Sequence, residues 1–293
     1  MKKLVIFGVG LIGGSVALAL KNAGSNTHIV GVGRTEKSLA EALDLGVIDS
    51  AEINIETAID GADLILIAVP VAQTTDILKG IKPHLNKQTV ITDAGSTKAD
   101  VLACAKTVLG EQFNQFVGGH PIAGAEKSGV SAAMPDLYVS KNVVLTPTAE
   151  TNMDAVASVT KLWQACGANV SEMSAETHDG IFAAVSHLPH LLAFALVDDI
   201  ASRPNAAQLF SFAASGFRDF TRIAGSHPEM WRDISLANKT AVLSELTAYQ
   251  LELSQLKQML EHEDGAGLQA LFERASVARN NWARDNLANS KTK

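Results

Sequence analysis

Val5-Ile6-Phe7-Gly8-Val9-Gly10-Leu11-Ile12-Gly13 carries a β-rich run straight into G-x-G-x-x-G and on into a helical pattern. Each glycine has a separate mechanical use. Gly8 permits a tight turn, Gly10 lets a pyrophosphate approach the backbone, and Gly13 lets helix and strand pack closely. The free N–H groups at Leu11 and Ile12 and the helix dipole favour an anion there. A lone motif of this kind is also met as a plain glycine turn. This one follows a strand, opens a helix and heads a strand–helix series, which makes it a dinucleotide site. The same stretch, with Met1-Lys2-Lys3 before an apolar run, superficially resembles a secretion signal. Glycines at these spacings have no use in a signal.

Outward from the motif, β-rich runs at 4–7, 29–32, 64–69, 89–92, 116–117, 143–145 and 169–171 alternate with helical patterns at 13–23, 36–43, 72–81, 98–108 and 152–165. Such alternation predicts an α/β Rossmann domain with a doubly wound, mainly parallel sheet. After Met173 the β-rich runs stop and helical spacing continues almost to the end. The expected division is a dinucleotide-binding Rossmann domain over 1–172 and an all-α helical substrate and dimerisation domain over 173–293. Its long amphipathic helices suit burial against a twin subunit, so a homodimer is expected.

With 47% apolar and 19% charged residues, the chain has the composition of a globular protein. A net charge of −7 argues against nucleic acid or an anionic membrane as partner. An anionic substrate then needs a local cationic pocket. Cys104 and Cys166 make neither a disulfide framework nor a metal pattern, so reduced thiols in a cytoplasmic enzyme are expected. No stretch beyond the N-terminal run is expected to span a bilayer.

An NAD-preferring site ends its second strand in an acid that holds the ribose 2′-hydroxyl. Val32-Gly33-Arg34-Thr35 offers no acid before Glu36, and Arg34 and Thr35 can receive a 2′-phosphate instead. NADP is therefore favoured, with NAD left open. Val69, closing the run 64–69, and Ser96 complete the expected cofactor contacts.

Two more segments fall beyond strand ends, where a doubly wound sheet places its ligands: Thr92-Asp93-Ala94-Gly95-Ser96-Thr97-Lys98 and Gly118-Gly119-His120-Pro121-Ile122-Ala123-Gly124. Pro121 biases His120 away from helix, leaving the imidazole at a strand end among flexible glycines as a proton acceptor. The helical part opens with His178-Asp179 and continues Ser186-His187-Leu188-Pro189-His190, with His187 and His190 on one helix face. No third ligand is spaced for a metal. In Gly216-Phe217-Arg218-Asp219-Phe220-Thr221-Arg222, Arg222 either pairs with Asp219 or clamps a carboxylate.

Together these segments resemble the prephenate dehydrogenase family, also called cyclohexadienyl or arogenate dehydrogenases. The resemblance implies NAD(P)-dependent oxidative decarboxylation of prephenate to 4-hydroxyphenylpyruvate in tyrosine biosynthesis, with arogenate as the alternative substrate and no metal. It implies that His120 is the catalytic histidine and that Ser96 orients it and the nicotinamide. It makes Arg222 the ring-carboxylate binder and His190 a further substrate contact, with Ser186 and His187 of the same segment beside it. Glu126 and Lys127 border the pocket. Two rivals remain. A β-hydroxyacid dehydrogenase typically uses a lysine where this chain has none between Lys161 and Lys239, and a dinucleotide sensor has no use for His120.

Overall fold

The computed structural model describes residues 1–125 and 127–291. Eight strands form one sheet: β1 (Lys3–Phe7), β2 (His28–Val32), β3 (Ser50–Glu52), β4 (Leu64–Ile67), β5 (Val90–Asp93), β6 (Phe116–Pro121), β7 (Asn142–Thr146) and β8 (Asn169–Glu172). Their order is β3-β2-β1-β4-β5-β6-β7-β8. Pairing is parallel throughout except where β7 runs antiparallel to β6. Helices α1 (Leu11–Asn22), α2 (Glu36–Asp44), α3 (Ile55–Ile59), α4 (Thr74–Ile81), α5 (Ala99–Leu109) and α6 (Met153–Ala165) connect them. The sheet is the doubly wound, mainly parallel one expected.

The central strands are near-continuous apolar runs because both of their faces are covered. Leu4, Ile6, Leu64 and Leu66 join Val16 and Leu20 of α1 and Val159 and Trp163 of α6 in one core. The alternate residues Val5, Phe7, Ile65 and Ile67 join Leu78 of α4 and Val101 and Ala105 of α5 in the other. This period of two is the strand signature.

Three departures have plain causes. β3 and α3 were not expected: Ser-Ala-Glu has no β-forming character, and this three-residue edge strand exists because it pairs with Val30–Val32. β6 extends past 117 through the glycine pair to Pro121, paired with β7. The glycines there are not flexible turn residues. A Cβ at Gly118 would lie 2.4 Å from Thr146 Oγ1, and one at Gly119 would lie 2.8 Å from Asp93 O. Close backbone approach, not mobility, is their use.

Beyond β8, α7 (Ala175–Phe182) passes through one wide π turn (Ala183–His187) into α8 (Leu188–Ala201). α9 (Ala206–Ser211), α10 (Ser215–Thr221) and α11 (Pro228–Ala237) follow. The run Ala175–Ala201 does reach the length and apolar composition of a membrane span, contrary to expectation. Near its start His178 and Asp179 are hydrogen-bonded to each other, and Asp179 accepts from the backbone at the start of α5. By contacts, Met1–Lys239 is one compact unit and Thr240–Lys293 the other. Residues 173–239 join the first because α7 docks on α5. The second unit consists of most of α12 (Lys239–Glu261) and of α13 (Gly265–Lys291), with Leu251, Leu260, Phe272, Val277 and Trp282 exposed.

Candidate active site

The loop between β1 and α1 has the form its glycines promised. Gly8 sits at φ +90°, and a Cβ there would lie 2.5 Å from Ala68 O and 3.0 Å from Val69 Cγ1. At Gly13 a Cβ would lie 2.3 Å from Gly8 O and 2.7 Å from Ile6 Cγ2. At Gly10 it would meet nothing within 4 Å. So Gly8 and Gly13 are required by the protein's own packing, while Gly10 leaves open space above the start of α1. That helix has Gly10 as its N-cap, no side-chain cap and no acid in its first turn. Its first N–H groups are thus presented to an incoming anion. The donor set and the space fit a dinucleotide pyrophosphate.

β2 ends without an acid, and Arg34 is exposed just beyond it. Thr35 is the N-cap of α2, its Oγ1 accepting from Ser38 N at 3.3 Å. Its hydroxyl oxygen is thus engaged in capping α2.

The reacting groups gather where β5 and β6 end. Asp93 and Lys98 form an ion pair that is 1% and 0% exposed. Lys98 Nζ also donates to Gly119 O at 2.9 Å. The Asp93 carboxylate accepts from Gly95 N at 2.8 Å and from Gly119 N at 3.0 Å. These two amides immediately precede Ser96 and His120, so one buried pair fixes the backbone before both. A charge pair this deep survives only because its remaining valences are satisfied, here by backbone groups.

Ser96 was expected to orient His120. The hydrogen bond to the ring comes from elsewhere: His120 Nδ1 lies 2.8 Å from His178 Nε2. His178 Nδ1 lies 2.8 Å from Asp179 Oδ1. Asp179 in turn accepts from Lys98 N and Ala99 N, both at 2.9 Å, and so caps α5, whose own N-cap residue, Lys98, makes no capping bond with its side chain. Phe182 closes the group, its ring 4.8 Å from that of His120 and 4.5 Å from that of His178. Burial holds His120 well below the ordinary histidine range, and the electrostatic effects of His178, Lys98 and His187 push the same way. Burial also lowers His178, against the raising effect of its bond to Asp179. Burial raises Asp179, but the bonds from His178, Ala99 and Lys98 prevail and keep it below the usual carboxylate value.

The π turn serves the second half of the site. His190 Nδ1 donates to Ser186 O at 2.8 Å, and its ring stacks on Trp231 at 3.5 Å. Burial lowers its pKa, and the positive charge of Arg222 lowers it further. His190 and Arg222 are therefore neighbours. Arg222 is exposed at the end of α10, while Asp219 lies 3.9 Å from Arg218. His187 is interior, 1% exposed, with Nδ1 taking a bond from Asn238 Nδ2 at 3.1 Å and burial pushing it down to about 4. Asn238 also donates to Asp179 O at 2.8 Å. His187 thus supports the turn from inside, contrary to its expected place as a substrate contact. Ser186 contributes its carbonyl to His190 and is half-buried. Glu126 lies outside the described residues, and Lys127 beside it is exposed. Among the described residues no group of three or more His, Cys, Asp or Glu side chains is arranged so as to hold a metal ion.

Asp93, Lys98, Trp231 and Asn238 were not singled out from the sequence. The signals existed for the first two, an acid and a lysine bracketing Ser96, but nothing local distinguishes a buried pair from a solvated one.

Two family models match the chain: prephenate dehydrogenase, nucleotide-binding domain, over residues 16–172, and prephenate dehydrogenase, dimerization domain, over residues 174–274. A prephenate dehydrogenase of Bacillus subtilis is 39% identical over 94% of this chain and 75% of that protein. A cyclohexadienyl dehydrogenase of Zymomonas mobilis is 34% identical over 95% of each. The crystal structure of prephenate dehydrogenase from Aquifex aeolicus in complex with hydroxyphenyl propionate and NAD+ superposes with a TM-score of 0.90 at 39% identity. It covers 95% of this chain and 97% of that one.

Proposed function

The chain belongs to the prephenate dehydrogenase family, and from that premise we propose that it converts prephenate to 4-hydroxyphenylpyruvate by oxidative decarboxylation. The observation that carries this reading is that the glycine cradle after β1 and the half-buried His120 near the end of β6 lie at the same carboxyl-end edge of one sheet. A nicotinamide dinucleotide bound in the cradle supplies the hydride acceptor. His120 accepts the proton of the 4-hydroxyl, and its depressed pKa keeps it unprotonated and ready near neutral pH. Ser96, on the loop fixed by Asp93, orients the hydroxyl and the nicotinamide. Arg222 holds the ring carboxylate, with His190 on the adjoining wall. Loss of CO2 makes the ring aromatic, so the protein has mainly to orient the ring and take one proton.

The finer readings rest on particular residues. Arg34, with no acid at the end of β2, supports NADP over NAD. The domain boundary at 172/173 is supported by the meeting point of the two family models. A homodimer, paired through the helical domain, is supported by the apolar residues exposed on α12 and α13. The test of the activity follows reduced-nicotinamide absorbance with prephenate or arogenate, each with NAD+ or NADP+. Chromatography then separates 4-hydroxyphenylpyruvate from tyrosine. Reduction with prephenate and release of 4-hydroxyphenylpyruvate is expected. Turnover with arogenate alone would reassign the substrate, and none with either would remove the activity.

A further inference from the structure

His178-Asp179 stands at the start of the helical segment with no role in the reaction as stated so far. Asp179 is acceptor-only when ionised, and its pKa is held below the usual carboxylate value. Its Oδ1 lies 2.8 Å from His178 Nδ1, so that nitrogen carries a hydrogen and donates. Burial lowers the His178 pKa, so the ring is neutral and its Nε2 has a lone pair. The atom 2.8 Å from that lone pair is His120 Nδ1, which must therefore carry a hydrogen too. A neutral His120 protonated at Nδ1 has its lone pair at Nε2. The direction of donation is set from one end of the chain to the other, and it starts at Asp179.

We infer that His178 and Asp179 are positioning residues that hold His120 in the Nδ1-protonated tautomer, so that Nε2 is the nitrogen that receives the substrate's proton. Bonds form and break in balance. The hydroxyl O–H breaks as His120 Nε2–H forms, and the His120 Nδ1–H and His178 Nδ1–H bonds stay intact. The positive charge then on His120 faces the Asp179 carboxylate through the His178 ring. Asp179 takes no proton and serves as an orienting charge, as in other acid–imidazole relays. Its two further acceptor bonds, from Lys98 N and Ala99 N, fix the carboxylate against rotation. Tautomer and aim are thus both determined by residues bonded to the Nδ1 side of His120.

The inference rests on His120 being the proton acceptor, and the experiment separates the two ideas. His178→Phe preserves the ring packing against His120 and Phe182 but offers no acceptor to His120 Nδ1. His178→Gln loses ring packing, yet its carboxamide oxygen reaches close to where Nε2 stands. kcat is expected to fall on the order of 10²-fold or more in the Phe variant and to recover in part in the Gln variant. KM for prephenate and affinity for the dinucleotide should hold in both. Melting temperature is expected to rank them the other way, Phe above Gln. A merely structural role would make activity follow stability. Histidine 15N spectra of the uncomplexed protein, with His120→Asn used to assign its signals, give a readout independent of turnover. Wild type should show a protonated Nδ1 and a bare Nε2 on His120, and His178→Phe should shift that pattern. A bare Nδ1 in wild type, or kcat in the Phe variant equal to wild type, overturns the inference. If His120→Asn itself keeps most of its turnover, the proton acceptor has been misassigned and the function reading fails first.

Discussion

Gly10→Ala separates the two uses of glycine in the nucleotide loop. Gly10 has φ −104° and ψ −152°, an extended conformation open to alanine, and its Cβ would meet no protein atom within 4 Å. The protein itself has no objection to the methyl group. Removing a glycine also narrows the unfolded ensemble, so stability should hold or rise by about 0.4–1 kcal/mol. A bound pyrophosphate meets that methyl directly and has to draw back from the N–H groups of α1. Weakening one or two charge-assisted bonds at about 1.5–3 kcal/mol each raises Kd for the dinucleotide by roughly 10-fold to several hundred-fold or more. Gly13→Ala is the contrasting variant. Its Cβ would stand 2.3 Å from Gly8 O, against about 3.4 Å for ordinary contact, so α1 has to retreat by about 1 Å. Overpacking of this kind costs about 1–3 kcal/mol, and the melting temperature should fall by about 2–4 °C per kcal/mol. Titration calorimetry with NAD+ and NADP+ and thermal melts of both variants provide the check. A Gly10→Ala protein that binds either dinucleotide as wild type does would show that no phosphate passes over Gly10. One that melts well below wild type would show that the open space is not there.

Four further outcomes are expected. His120→Asn should cut kcat about 10²–10⁴-fold with dinucleotide affinity kept. In wild type the ring is faced by His178 and Phe182 of α7, His187 of the π turn, and the Asp93–Lys98 pair at the end of β5. Since its pKa is lowered, the neutral form persists below the ordinary histidine range and is lost only as pH falls through the lowered value. The acid limb of kcat should accordingly lie below about pH 6.5, the unperturbed value, and a limb above it would contradict the burial argument. Arg34→Ala should raise KM for NADP about 10- to 100-fold and hardly change that for NAD; equal effects would make Arg34 a general contact, and a wild-type preference for NAD would remove the proposal. Arg222→Ala should raise KM for prephenate strongly with a smaller fall in kcat, and Arg222→Lys should restore only part because ammonium lacks the planar fork. A variant that melts early but binds prephenate normally would return Arg222 to the scaffold.

How much of this was legible before the structure depends on whether a constraint was local. Gly8, Gly10 and Gly13 were readable because steric exclusion acts between residues a few positions apart, and the buried runs of β1 and β4 because burial on both faces dictates their composition. His120 was readable from Pro121 and the strand end. Its partner was not. The His120–His178 bond spans 58 positions and the Asp179–Lys98 bond 81, and no periodicity or motif reports on such a pairing. By the same token, the cap of α5 cannot be found by looking upstream of the helix. Gly118-Gly119 misled because glycine pairs usually mark turns, whereas here small size lets β6 lie against Thr146 and Asp93. β3 was invisible because an edge strand of three polar and small residues is made by its neighbour.

The carboxylate of Asp179 has a consequence for how such a chain can be rearranged. Composition changes at residue 172, and there the protein looks divisible into interchangeable halves. The bond network has no seam at that point. A fragment ending there loses the acceptor for Lys98 N and Ala99 N, so the first turn of α5 frays in the half that was supposed to be self-sufficient. The loose turn is the one that follows Ser96 and carries the lysine fastened to Gly119. A foreign helical segment spliced onto this nucleotide half is therefore expected to keep α5 capped only when it brings an acid in the place of Asp179. The two parts are joined by a carboxylate that belongs by position to one and by bonding to the other.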